Sequence, residues 1–168
     1  VPLIPASGAT SIFLRYGNPA ATSASDGAAT FDFFDEFEGS SIDTSKWNIE
    51  NATGWTVSGG KLHGANTSGR IASKQTFGAG VELNMRAKTI SHASNGEMLG
   101  GFYINANNCI GFMHHPSWLY YRNDGTWVNV VADVLNENFL YQVIVKSATQ
   151  VDLKAVGLDR GAGYYYTG

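Results

Sequence analysis

Polar and apolar residues alternate with a period of two along most of this chain, and the 3.6-residue period of an amphipathic helix is almost absent. The clearest stretch is Val81-Glu82-Leu83-Asn84-Met85-Arg86-Ala87-Lys88. Its Val81, Leu83, Met85 and Ala87 fall on one face, and the four polar side chains fall on the other. Residues 139–146 and 150–156 repeat the pattern on either side of Ser147-Ala148-Thr149, which predicts a hairpin. Gly59-Gly60 separates the runs 55–58 and 61–63, and Asn123-Asp124-Gly125 separates 118–122 from 126–130; both turns supply residues tolerant of positive φ. Strands are also expected at 11–16, 30–36, 69–74, 97–105 and 108–114. The pattern predicts an all-β fold, a β-sandwich of two antiparallel sheets packed face to face.

The length of 168 residues suits one such domain, with residues 1–29 as an N-terminal strand and linker and 30–168 as the sandwich. Pro2, Pro5 and Pro19 flank the first strand, and residues 20–29 are small and polar. The formal net charge of −3, with 11 scattered basic residues, gives no footprint for nucleic acid. No apolar run approaches the length of a membrane span, so no direct membrane insertion is expected. Asn51-Ala52-Thr53 and Asn66-Thr67-Ser68 have the form of glycosylation acceptors and, with the polar loops, favour an extracellular or cell-surface location. Cys109 is the only cysteine, which excludes an intrachain disulfide; a buried, inert thiol is expected there.

Residues 31–39, Phe-Asp-Phe-Phe-Asp-Glu-Phe-Glu-Gly, followed by Ser41-Ile42-Asp43-Thr44-Ser45-Lys46-Trp47, resemble the opening of concanavalin A-like (laminin-G-like) lectin and glucanase domains. The resemblance continues through Trp55 to Leu62, Ile71 to Lys74 and Gly78 to Lys88. It implies a jelly roll. Residues 1–19 are similar to the end of a prokaryotic domain of unknown function that commonly stands before such modules in surface proteins. Many concanavalin-like domains hold a structural calcium near the acidic opening, which makes Asp35, Glu36, Glu38 and the Gly39 carbonyl the candidate ligands.

The glucanase branch uses a pair of carboxylates on a central strand, and the strand that corresponds here, Asn107 to His115, has neither Asp nor Glu. Glu97 stands alone on the preceding strand, so no catalytic residue is expected. Glycan binding needs aromatic platforms and planar polar groups. Tyr103, Trp118, Tyr120 and Trp127 are the candidate platforms, with Asn105 and His114 nearby and Glu82, Asn84 and Arg86 on the polar face of the neighbouring strand. The function expected is a non-catalytic carbohydrate-binding or adhesion module, whose partners are glycans or neighbouring surface-protein domains. The alternative is a structural subunit of a surface layer, sheath or filament, a homo-oligomer assembled by strand exchange. A polysaccharide hydrolase or lyase comes third.

Overall fold

The computed structural model describes Ser11, Phe13 and residues 16–90, 97–103, 109–115, 118–123, 126–132 and 135–167, with backbone alone at 52, 66–68, 97–99, 113–115, 122–123, 127 and 131–132. These residues form one helical turn, α1 (Gly27–Thr30), and the strands β1 (Trp47–Val57), β2 (Leu62–Ser73), β3 (Val81–Lys88), β4 (Glu97–Tyr103), β5 (Cys109–His115), β6 (Trp118–Asn123), β7 (Thr126–Ala132), β8 (Asn138–Val145), β9 (Val151–Gly157) and β10 (Gly163–Thr167). The fold is all-β. β1 and β2 pair as a hairpin, and the other strands make two antiparallel sheets, ordered β10-β9-β8-β3 and β4-β5-β6-β7.

Alternation in sequence becomes alternation in burial. On β8, Phe139, Tyr141 and Val143 are buried, and on β9, Val151, Leu153 and Ala155. These six residues meet Phe112, Leu119 and Tyr121 of the second sheet in one hydrophobic cluster. Phe112 packs on Tyr141 with ring centres 4.7 Å apart, and Tyr121 on Tyr166 at 4.5 Å. At the other side of the pair of sheets β3 meets β4. A Cβ added at Gly100 would lie 2.6 Å from the Met85 sulfur, so glycine permits this approach.

That side is closed by aromatic rings. Phe102 of β4 touches Phe77, Phe77 touches Phe33, and Phe33 and Phe37 both pack on Trp47. Asp35 holds the arrangement: its Oδ2 accepts the Trp47 indole N–H at 2.6 Å and its Oδ1 the Phe37 amide at 2.8 Å. The hairpin turn at Gly59-Gly60 forms as expected, with φ of 58° and 66°.

The strand expected at 30–36 does not form. Asp26 caps α1 by accepting the Ala29 amide, and the following phenylalanines wrap round Trp47 and one another instead of alternating across a sheet. The expected strand at 69–74 is the end of the longer β2. Most of the segment 11–16 lies outside the described residues; Ser11, Phe13 and Tyr16 are described and belong to no strand.

Candidate functional site

On β6 the period of two decides which aromatics face the core. Leu119 and Tyr121 are 0% and 8% exposed, so Trp118 and Tyr120 project from the opposite, outer face, where Trp118 is 39% exposed and Tyr120 half-buried. Two residues of strand separate them by about 7 Å. Tyr120 lies opposite Met113 of β5 on one side and opposite Asn129 of β7 on the other, and Asn129 is exposed. The pairing of β6 with β7 shifts between Leu119 and Tyr120, which places a bulge beside the two aromatics. Burial raises the phenol pKa of the inward Tyr121, and Tyr166 beside it adds to the effect.

Tyr103, at the end of β4, is 42% exposed, and the Arg70 guanidinium sits 3.8 Å from its ring centre. Arg70 is itself ion-paired with Glu50, so Tyr103 joins the β1–β2 hairpin to the sheet. Cys109, its partner in register, is buried as expected, and Gly111 beside it is buried too. On this outer face Cys109 and Gly111 are thus covered, while Trp118 and Asn129 are exposed. His114 and Trp127 lie on β5 and β7 with backbone alone described, and Asn105 lies outside the described residues.

Glu82, Asn84 and Arg86 are exposed as expected, but on the outer face of the other sheet. The expected set of glycan ligands thus divides between two opposite layers. Gln142 stands beside Glu82 and Asn84, and Lys154 and Tyr165 follow on β9 and β10; none of them was expected from the sequence. Gln142 Nε2 donates to Glu82 Oε1 at 2.8 Å and to Asn84 Oδ1 at 2.7 Å, while Asn84 Nδ2 donates to Glu82 Oε1 at 2.9 Å. The register continues this row as Asn84, Gln142, Lys154 and Tyr165. The signal for Gln142 and Lys154 was present in the alternation of β8 and β9.

Of the calcium candidates, Asp35, Glu36 and Glu38 lie along a cleft of about 370 Å³ that Asp26, Asp43 and Lys46 also line. Both Asp35 oxygens accept from protein donors, and the Lys46 ammonium donates to the Phe34 carbonyl at 3.0 Å within the same wall. Asp43 is held below the usual carboxylate range by the hydroxyl and amide of Ser45. No group of three His, Cys, Asp or Glu side chains near enough to share an ion occurs among the described residues. Asn51 is exposed on β1 with φ of 49°; Asn66 is on β2 with backbone alone described.

Two antiparallel sheets that contribute to one hydrophobic cluster define an all-β protein. A family model described as a domain of unknown function (DUF2341) matches residues 1–50. The match extends beyond the proline-flanked segment, through α1 and the aromatic segment, to the start of β1. No curated protein and no solved structure matches the chain.

Proposed function

We propose that this chain is a non-catalytic, extracellular carbohydrate-binding or adhesion module of concanavalin A-like type, and that its glycan lies along Trp118 and Tyr120. The observation that carries the reading is the outward projection of both aromatics from one strand, while Leu119 and Tyr121 between and beside them are buried. Side chains about 7 Å apart on one face can stack against successive parts of a sugar chain, with the Asn129 carboxamide placed to pair with hydroxyls. The lack of a second acid among the strand residues of this sheet supports a binding role. Among the strand residues of this sheet the only acid is Glu97, and glycoside hydrolysis by the usual routes needs two.

Affinity electrophoresis through neutral and acidic polysaccharides tests this reading. The expected result is retardation by at least one polymer, lost in Trp118→Ala and weakened in Asn129→Ala. Equal mobility of the parent protein and Trp118→Ala in every gel overturns it.

A further inference from the structure

Four strands end the two large sheets, β3 and β10 in one and β4 and β7 in the other. Natural sheet edges carry charges, proline or bulges that stop a foreign strand from adding on. β3 carries Glu82, Arg86 and Lys88. β4 has an irregular register between Met98 and Gly100, and β7 has one between the partners of Leu119 and Tyr120. β10, Gly163-Tyr164-Tyr165-Tyr166-Thr167, has no charge, no proline and an unbroken register with β9.

The backbone of β10 is also oriented for pairing. Gly157 N donates to the Ala162 carbonyl at 2.8 Å, immediately before Gly163 pairs with Val156. Hydrogen-bonded and non-bonded pairs alternate along an antiparallel ladder. The peptide groups of Tyr164 and Tyr166 therefore turn toward β9, and those of Gly163, Tyr165 and Thr167 turn toward the open side. No described strand pairs there.

We infer that two copies of this chain pair antiparallel through β10, about a two-fold axis at Tyr165, to join their four-stranded sheets into one. The five-residue strand is self-complementary in this register. Tyr165 faces Tyr165 of the second copy, Tyr164 faces Tyr166, and Gly163 faces Thr167. The outward peptide groups then exchange about six main-chain hydrogen bonds. Tyr164 and Tyr166 are half-buried against the core, and the tyrosines of the second copy cover their remaining edge as cross-strand aromatic pairs. Charge is compatible with this pairing. Lys154 stands 5.3 Å from the Tyr165 ring centre, so the row across the axis reads Lys154, Tyr165, Tyr165, Lys154. Each cation meets an aromatic face, and the two lie about 14 Å apart, three strand spacings.

Sedimentation equilibrium without glycan, from micromolar to sub-millimolar protein, tests the pairing independently of the binding reading. The parent protein is expected as a dimer. Tyr165→Pro removes an N–H that points away from β9, so the fold keeps its own ladder and dimerisation weakens at least about tenfold. Tyr165→Lys places like charges at the axis and has the same expected effect; circular dichroism and thermal melting establish that each variant is folded. A parent protein that is monomeric throughout overturns the proposal. So does a dimer that persists unchanged in a folded variant, since another surface, or a different segment on this edge, would then hold the copies together.

Discussion

The two large sheets have the same number of strands and share one core, yet they differ in regularity. β3, β8, β9 and β10 pair without a register shift, and burial alternates residue by residue along each. The β4–β7 sheet has two shifts, Gly100 and Gly101 within β4, and Gly111 within β5. Regular pairing keeps alternate side chains on one face, whereas a bulge bends a strand and re-aims its side chains. The bulge is at Val130 of β7, beside Leu119 and Tyr120, so the irregular sheet holds the candidate site, and among the described residues the regular one supplies six of the nine buried residues of the cluster.

The sharpest way to break this comparison is to truncate adjacent residues of β6. Leu119 is completely buried, and Leu119→Ala is expected to destabilise the fold by about 2–5 kcal/mol through lost transfer energy and the cavity left behind. Trp118→Ala removes a larger side chain but is expected to cost less than Leu119→Ala, because Trp118 is already 39% exposed. Urea denaturation measures both. Equal losses would mean that Trp118 is a core residue, which would remove the ligand platform.

The regular sheet was also the legible one. In β3 apolar residues alternate with charges or a carboxamide, and Gln142 in β8 and Asp152 and Lys154 in β9 mark the outward face, so the face of each side chain there follows from the sequence. Residues 118–121 are all aromatic or aliphatic, and the alternation separates them into two pairs without saying which pair is inward. The core supplied by the facing sheet decides that. Tyr165 lies in a run of three tyrosines with no polar marker. The division of Glu82, Asn84 and Arg86 from Trp118 and Tyr120 depends on which strands pair across long sequence separations, as with β3 and β8, and local pattern carries no such information. In the segment 30–36 a local cap and a hydrogen-bonded Asp35 overrode an alternation that read as strand.

A smaller effect measures the contact between the sheets. Gly100→Ala directs a methyl group at the Met85 sulfur and terminal methyl, at 2.6 and 2.8 Å, and overpacking of this kind costs about 1–3 kcal/mol. The end of a methionine can move, so the expected loss is toward the lower bound. In a double-mutant cycle, Met85→Ala should recover part of the loss, with a coupling of at least about 0.5 kcal/mol. Strict additivity would show that β3 and β4 do not meet at this point.

The smallest expected effect is seen only at alkaline pH and compares the two tyrosines of the shared core. Burial raises the Tyr141 phenol pKa, and the nearby Glu137 carboxylate raises it further; Tyr121 is raised by burial with help from Tyr166. Below a pH of about 10 both phenols are neutral whether the chain is folded or not, and they add no pH dependence. Above that the unfolded chain loses the protons while the folded chain keeps them, so stability falls as pH rises toward the folded values. Tyr141→Phe removes one of these titrations and should lessen the fall more than Tyr121→Phe, because Tyr141 is the more deeply buried. Urea midpoints measured across the alkaline range check the order. If Tyr121→Phe protects more, the densest packing between the sheets lies at the Tyr121–Tyr166 contact and not where Phe112 meets Tyr141.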